Sequence, residues 1–285
     1  MDTQKIDSSL KFADGHTMPN QGLGVYKMTE ERELIDSVKV AYDAGYRLFD
    51  TAQMYGNEAA VGKAIKELSV PRNEIFVTTK VAEANQGYDK VIASVEESLK
   101  KLQLDYVDLL LVHWPIHQHF FETWKAFEAL KEQGLTKSIG TSNYGMVHLE
   151  YLATKANEMP VLNQLEVHPY LSQEAMINFD RKNHIVTQAW APLGRGRIFE
   201  DPAILKIAKH HGKSAAQIIL RWHLQRGDSF IPKSVHPERI KQNADIYDFK
   251  LTDEEMAWVD ALNKNTRISQ EPEMVYEIGH QYPHH

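Results

Sequence analysis

Short apolar runs alternate with segments of helical periodicity along almost the whole chain. We find about eight such pairs, and most of the apolar runs are continuous rather than alternating. Continuous runs are typical of parallel strands that are covered on both faces. The alternation predicts an α/β fold, a single (β/α)₈ TIM barrel. The strand candidates are residues 23–26, 46–50, 75–80, 107–112, 137–140, 161–166, 185–190 and 229–231.

Several helix ends are readable from their flanking residues. Asp201 before Pro202 predicts the start of one helix, and Gly212 predicts its end. Capping boxes that begin at Ser214 and at Thr252 predict two further helix starts. These signals place helices between the strand candidates, as the barrel requires.

A doubly wound sheet with a Rossmann site is the competing architecture. It would require G-x-G-x-x-G at the start of an early helix. The nearest sequences, "GLGVYK" and "GRGRIF", both lack the third glycine. No repeat or linker marks a second domain, so residues 1–285 are expected to form one domain. The turn-like "ADGH" predicts an N-terminal β-hairpin at the barrel bottom.

The charge balance argues against nucleic acid and anionic membranes as partners. Lys and Arg number 32 against 39 Asp and Glu, and no dense basic run is present. The absence of cysteine excludes disulfides, Cys-ligated zinc and a thiol nucleophile. No apolar run approaches the roughly 18 residues of a membrane helix, and "MDTQKIDSSLKF" lacks the apolar core of a secretory signal. A cytoplasmic protein is expected, with a flexible tail "EIGHQYPHH".

Four titratable side chains lie at the carboxyl ends of neighbouring predicted strands. Asp50 ends the second strand, Lys80 ends the third, and His113 follows the fourth. Tyr55 lies one loop beyond Asp50. Active sites of such barrels lie at this rim, so these groups are expected to converge there. Each residue alone would fit a structural ion pair or a core hydrogen bond, whereas the combination favours catalysis.

The four side chains have complementary chemistry. Tyrosine, with a pKa of about 10, is a poor acid at neutral pH. A nearby ammonium stabilises its phenolate and lowers that pKa. We expect Lys80 to supply this charge, Asp50 to orient the lysine, and His113 to donate a hydrogen bond to a substrate carbonyl oxygen. Because no side chain here is a carbon nucleophile, the attacking group is predicted to be hydride from a cofactor.

Seven motifs resemble the aldo-keto reductase superfamily, in the family's order and over essentially the whole chain. They are "FDTAQMYGNE", "VTTK", "LLLVHWP", "IGTSN", "NQLEVHP", "AWAPLGRG" and "IPKSVHPERIKQN". The resemblance implies the catalytic tetrad Asp50, Tyr55, Lys80 and His113. The short rim loops are similar to those of the branches that include 2,5-diketo-D-gluconate reductases.

The resemblance also implies NADPH as the cofactor. Ser142, Asn143 and Gln164 look like contacts of the nicotinamide carboxamide, and Trp190 looks like the aromatic that stacks on its ring. Without the resemblance, Trp190 would be read as core, Gln164 as a hydrogen-bonded strand residue, and the Ser142–Asn143 pair as a helix cap. The complete set of implied cofactor residues is Gly24, Ser142, Asn143, Gln164, Trp190, Leu193, Lys233, Ser234, Val235, Arg239, Gln242 and Asn243.

The last motif matches the segment that holds the adenosine phosphate. Lys233 and Arg239 can neutralise a 2′-phosphate, which NADPH has and NADH lacks. NADPH should therefore be preferred. Taken alone, the two cations would be a solvated helix start.

The substrate pocket is expected to include Tyr26, Ala82, His113 and Trp114. Members of the family often have tryptophan where this chain has Tyr26 and Ala82, so Trp114 is the main indole expected near the carbonyl. The less enclosed cavity predicts small aldehydes, dicarbonyls and keto esters as substrates of a monomeric enzyme.

Two rival functions are weighed against carbonyl reduction. One is an NADPH-binding regulatory or sensor subunit with weak catalysis, which the intact tetrad disfavours. The other is a metal-dependent hydrolase that uses His117 and His119. That pair lies in a loop rather than on a strand, so no metal is expected.

Overall fold

The structure is a computed structural model that describes residues 5–279. Two short strands, β1 (Ser9–Lys11) and β2 (Thr17–Pro19), form an antiparallel N-terminal hairpin. Eight further strands form a parallel sheet in which every strand pairs with its neighbours in the sequence. The predicted (β/α)₈ barrel is confirmed. Its strands are β3 (Gly22–Gly24), β4 (Leu48–Asp50), β5 (Phe76–Val81), β6 (Val107–Val112), β7 (Thr136–Ser142), β8 (Leu162–Glu166), β9 (Val186–Trp190) and β10 (Ser229–Phe230).

Eleven helices lie within residues 5–279. The predicted cap at Asp201 is present, since its side chain accepts a hydrogen bond from the amide of Ala203. Ser214 and Thr252 form the two predicted capping boxes. The helices are α1 (Glu31–Asp43), α2 (Glu58–Leu68), α3 (Tyr88–Leu102), α4 (Phe120–Glu132), α5 (Met146–Ala153), α6 (Glu174–Lys182), α7 (Pro202–His211), α8 (Ala215–Arg226), α9 (Pro237–Ala244), α10 (Asp253–Asp260) and α11 (Pro272–Ile278). Among the described residues, none of these helices is long and apolar enough to cross a membrane.

The barrel closes between its first and last strands. Gln21 forms a parallel bridge with Phe230, and the Gly24 amide donates to the Pro232 carbonyl at 3.2 Å. A Cβ at Gly24 would lie 3.0 Å from the Ile231 carbonyl oxygen. Glycine is therefore favoured at this position, where the first and last strands of the barrel approach each other closely.

The hairpin covers the amino end of the barrel, as predicted. Phe12 and Met18 are buried, and they pack against Leu48 and Phe76 at the starts of their strands. Gly15, with φ of 94°, makes the turn between β1 and β2. The bottom of the barrel is thus filled by apolar side chains, and polar groups collect at the opposite rim. Most of the tail that is predicted to be flexible, residues 280–285, lies outside the described residues.

Strand pleating determines which side chains face the barrel interior. Leu48 and Phe76 contribute to the interior cluster at the bottom. Because side chains alternate between faces with a period of two, Asp50 and Lys80 face the same interior higher up the same strands. The opposite faces pack against the surrounding helices. This arrangement buries carboxylate and ammonium groups near the carboxyl rim.

Candidate active site

A buried ion pair lies at the centre of the rim. The Lys80 Nζ lies 2.5 Å from the Asp50 Oδ1 and donates to the Thr51 carbonyl at 2.9 Å. The two charged side chains are 0% and 1% exposed. Gln164, which reaches across the barrel from β8, donates from Nε2 to the other Asp50 oxygen at 2.8 Å. The lysine is thus held in one position by partners on both sides.

Burial acts against both charges of this pair. Desolvation raises the pKa of Asp50, while the charge of Lys80 and hydrogen bonds from Lys80 and Gln164 oppose that rise. Desolvation likewise lowers the pKa of Lys80, and Asp50 opposes that fall. Each group therefore depends on the other to remain charged in the barrel interior.

Tyr55 lies beside this lysine. A short 3₁₀ turn, Gln53–Tyr55, follows β4 and ends at Gly56, whose φ of 66° suits glycine. The turn places the Tyr55 hydroxyl 3.4 Å from the Lys80 Nζ. The phenol therefore adjoins a cation that is itself fixed by Asp50.

His113 completes the predicted set of four residues. Its amide, directly after β6, donates to the Val81 carbonyl at 3.1 Å. Its ring lies edge-on to Tyr55, with the ring centroids 5.8 Å apart. The structure thus brings together all four residues that the sequence predicts.

The residues expected at the nicotinamide form a connected group next to His113. Asn143, with φ of 61°, donates to the His113 carbonyl at 3.0 Å and accepts from the Trp190 indole at 2.9 Å. Ser142 donates to the Gln164 carbonyl at 3.0 Å. The reading of Ser142 and Asn143 as a helix cap is wrong, because Gly145 is the N-cap of α5. Gln164 is also a hydrogen-bonded strand residue, since its amide nitrogen contacts both Asp50 and Gln188.

The residues expected at the adenosine phosphate lie on one segment between β10 and α9. Lys233 and Arg239 are exposed, and neither forms an ion pair with any residue in 5–279. Ser234 is buried, and its hydroxyl accepts from the His236 amide. Asn243 is buried at 5% exposure, and its carbonyl accepts from Gln21. The remaining members differ in exposure: Val235 and Leu193 pack against the core, Gln242 is exposed, and Gly24 is buried at the barrel closure.

Comparison with known proteins identifies the family. The sequence model of the Aldo/keto reductase family matches residues 18–264. The chain belongs to this family. It is 44% identical over 268 residues to a glyoxal reductase of Bacillus subtilis, and the alignment covers 94% of this chain and 97% of the relative. It is also 44% identical over 275 residues to the uncharacterized oxidoreductase YtbE of the same organism, covering 95% and 98% of the two chains.

Solved structures of similar proteins share the fold. An aldo-keto reductase from Bombyx mori, in complex with NADP, has a TM-score of 0.91 at 34% identity and covers 98% of this chain and 100% of its own. A variant of the protein Gox0644, in complex with NADPH, has a TM-score of 0.89 at 41% identity, with coverages of 94% and 98%. Family membership confirms the prediction of an NADP-dependent oxidoreductase.

The side chains of this aldo/keto reductase fit NADPH at both ends. The Trp190 ring is fixed by its hydrogen bond to Asn143, so a planar face is presented in one orientation beside the tetrad. Lys233 and Arg239 provide two exposed cations for a phosphate group. An aromatic face and two cations suit a ligand that has a planar ring at one end and an anionic group at the other.

The expected substrate residues of the reductase differ in their exposure. Tyr26 is 44% exposed, and its ring centroid lies 5.0 Å from that of Tyr55. Ala82 is half-buried directly after β5, and its amide donates to the Gln53 side chain. Trp114 is 6% exposed, and its carbonyl accepts from Gln86. Tyr26 is thus the most open of these positions, whereas Trp114 is mostly enclosed.

Two amide side chains that the sequence analysis missed hold the Tyr55 turn in place. Gln53 accepts from the Ala82 amide at 2.9 Å and donates to the Ser98 hydroxyl at 3.1 Å. Asn57 donates to the Val25 carbonyl at 2.9 Å and accepts from Thr51. Both residues flank Tyr55 in the motif "FDTAQMYGNE", so their position in the sequence was a signal that they could hold Tyr55. Neither side chain is titratable, so neither was a candidate acid or base.

Glu166 was also missed. This buried residue at the end of β8 accepts hydrogen bonds from the Ile268 amide at 2.6 Å and the Ser269 hydroxyl at 2.7 Å. It also contacts His168 at 3.1 Å. Its signal in the sequence is the single carboxylate of "NQLEVHP", at the end of a predicted strand. Glu166 fastens the segment before α11 to the barrel rim.

The histidines of the loop before α4 contact other groups. The His117 ring packs edge-on against Tyr276 with a centroid distance of 5.4 Å. His119 lies 3.0 Å from a Glu122 oxygen. These contacts draw the two histidines towards different neighbours, which does not favour a shared metal-binding role.

Proposed function

We propose that this reductase converts small aldehydes, dicarbonyls and keto esters to alcohols, with Tyr55 as the general acid. The observation that carries the proposal is the 3.4 Å approach of the Lys80 Nζ to the Tyr55 hydroxyl, with Lys80 bound to buried Asp50. The similarity to a glyoxal reductase supports a dicarbonyl among the substrates.

The roles of the four residues follow from their contacts. When bound, NADPH supplies the hydride that adds to the carbonyl carbon. Tyr55 gives its proton to the carbonyl oxygen, and the Lys80 ammonium stabilises the phenolate that remains. Asp50 keeps the ammonium in place, and burial keeps this interaction from being screened by water. His113, edge-on to Tyr55, donates a hydrogen bond that positions the carbonyl oxygen.

We assign the preference for NADPH over NADH to residues of the segment between β10 and α9 and of α9 itself. Lys233 and Arg239 carry the charges that would bind a 2′-phosphate, so NADPH should be used in preference to NADH. Ser142, Asn143 and Gln164 would bind the nicotinamide carboxamide, and Trp190 would stack on its ring. Among the substrate residues, Ala82 and Tyr26 leave room for the carbonyl substituents.

The test is NADPH oxidation, followed by absorbance, against a panel of aldehydes, dicarbonyls and keto esters. Tyr55→Phe should lower kcat by about 10²- to 10⁴-fold, because a general acid is removed. Its affinity for NADPH, measured by fluorescence titration, should be largely kept. Tyr151→Phe is the matched control, because Tyr151 is a 43% exposed tyrosine on α5, and it should retain parental activity.

Other outcomes distinguish the alternatives. Parental activity in Tyr55→Phe would show that Tyr55 is not the acid. Tight NADPH binding without turnover of any panel member would favour the regulatory subunit, and loss of activity to a strong chelator would favour metal chemistry. We also propose that the enzyme is a cytoplasmic monomer with a single domain. The molar mass measured by light scattering tests whether it is a monomer.

A further inference from the structure

Two adjacent histidines and a glutamate meet on the outside of the barrel. His210 and His211 end α7, and Glu255 lies in the first turn of α10. The His210 Nδ1 lies 2.7 Å from the Glu255 Oε1. The His211 Nε2 lies 3.0 Å from the same oxygen and 2.9 Å from the other. Both rings therefore converge on one carboxylate.

The spacing of these atoms suits a single metal ion. One ligand atom from each of the three residues lies within 4.8 Å of the others. Two ligands bound at about 2.0–2.1 Å to one tetrahedral zinc ion lie about 3.3 Å apart. The separations between the three atoms therefore exceed the spacing in a zinc site by no more than about 1.5 Å. Among residues 5–279, no other group of three or more His, Cys, Asp or Glu side chains has this geometry.

We propose that His210, His211 and Glu255 form a binding site for a divalent transition metal, with Zn²⁺ as its representative, that joins α7 to α10. Two imidazoles and one carboxylate are a ligand set found in protein zinc sites. Magnesium and calcium are disfavoured, because they prefer oxygen ligands. His210 is 69% exposed, so water has access to complete the coordination.

The carboxylate is prepared to act as a ligand. Glu255 is only 4% exposed, and the ring nitrogens of His210 and His211 and the Thr252 amide nitrogen all lie within 3.0 Å of its oxygens. A bound metal ion would take the place of the present contacts between the two histidine rings and the Glu255 carboxylate. The Glu255 Oε2 also caps α10 by accepting from the Thr252 amide at 2.8 Å. The ion would thus connect the end of one helix to the capped start of another.

The expected effect is on stability rather than on the active site. The helices α7 and α10 share an apolar cluster that includes Ile207 and Val259. If the ion binds only the folded chain and is present at a free concentration of about 100 times its Kd, it would raise the free energy of unfolding by about 2.7 kcal/mol. For a chain of 285 residues this corresponds to a rise in Tm of about 4–5 °C.

The experiment is calorimetric titration of the full chain with Zn²⁺, together with thermal unfolding. Three tail histidines, His280, His284 and His285, are replaced by alanine in all proteins, so that they do not contribute to binding. The parent in this background should bind one ion saturably and melt at a higher temperature with Zn²⁺. His210→Ala should weaken binding at least about tenfold and abolish the shift in Tm. His184→Ala, which removes an exposed histidine elsewhere, is the control and should bind as the parent does.

Glu255→Gln gives a second, independent measurement. Glutamine keeps the side chain of the capping box but removes the charge, so folding should persist while Zn²⁺ affinity falls. If this variant fails to fold, His210→Ala decides, because its side chain is mostly exposed. The proposal is overturned if the parent has a Kd above about 1 mM, or if His210→Ala binds Zn²⁺ as tightly as the parent.

Discussion

Replacing Lys80 by methionine tests the buried pair on which the proposed mechanism depends. Methionine fills much of the volume of the lysine stem but carries no charge. The Asp50 carboxylate then remains 1% exposed in the barrel interior without its cation, although Gln164 still donates to it at 2.8 Å. The change therefore affects both the fold and the proposed acid.

The expected loss of stability is large. Removal of one partner from a buried ion pair costs about 3–5 kcal/mol, because the other charge stays desolvated. For 285 residues the unfolding entropy is about 0.6 kcal/mol per degree, so Tm should fall by about 5–8 °C. Lys63→Met is the matched control, since Lys63 and Glu31 form an ion pair that is 49% and 53% exposed. That surface pair should be worth no more than about 1 kcal/mol.

The pH dependence of the variant has a defined sign. Burial raises the pKa of Asp50 above its ordinary value. A group with a raised folded pKa contributes stability that is present below the unfolded pKa, about 4, and is lost as the pH rises through the folded pKa. Lys80→Met should therefore lose stability relative to Lys80→Met/Asp50→Asn as the pH rises above the unfolded pKa of about 4. In the double variant, residue 50 does not titrate.

Thermal unfolding and NADPH oxidation are the two assays. We expect Lys80→Met to lose about 10²-fold or more in kcat, because it removes the charge that is proposed to make Tyr55 acidic. Full activity in Lys80→Met would refute the role of the lysine in acidifying Tyr55. An unchanged Tm would refute the claim that the pair is buried and mutually dependent.

Three further predictions concern other parts of the chain. Met18→Ala should lower the free energy of unfolding in urea by about 2–5 kcal/mol, because Met18 is 0% exposed at the barrel bottom; a loss well under 1 kcal/mol would contradict the role of the hairpin. Burial opposes the ionisation of Glu166, but its hydrogen bonds with His168, the Ser269 hydroxyl and the Ile268 amide hold its pKa below the ordinary value. The stability that Glu166 confers over Glu166→Gln is therefore present above about pH 4.3 and should shrink as the pH falls through the folded pKa; an advantage that stays constant on acidification would contradict this. Lys233→Met should raise KM about tenfold for NADPH and leave KM for NADH nearly unchanged; equal changes would exclude phosphate recognition.

The convergence of Asp50, Lys80 and His113 was predictable from the sequence. Continuous apolar runs indicate parallel strands, and the carboxyl ends of parallel strands in a barrel share one rim. Polar residues at those ends must therefore meet, whatever the details of the loops. The same reasoning predicted the hairpin, because a turn sequence preceded the first strand.

The contacts of Gln53, Asn57 and Glu166 were not predictable in the same way. Their partners are backbone groups and side chains far away in the sequence, and only the tertiary structure brings them close. The first barrel strand was also misplaced, at 23–26 rather than Gly22–Gly24. Glycine counts against a strand in the sequence, and the predicted range leaves out Gly22. In the barrel, a Cβ at residue 22 would lie within clashing distance of the buried Leu48 Cδ2, so a larger residue would crowd this strand.

The turn that carries Tyr55 is held by neutral amides, whereas the segment proposed to hold the phosphate relies on exposed cations. Added salt screens charges at the surface but has little effect on buried hydrogen bonds. A higher ionic strength would therefore weaken the proposed binding of phosphate by Lys233 and Arg239. The hydrogen bonds of Gln53 and Asn57 would persist. In a cell whose salt content varies, the proposed phosphate contacts would weaken or strengthen while Tyr55 keeps its position beside Lys80.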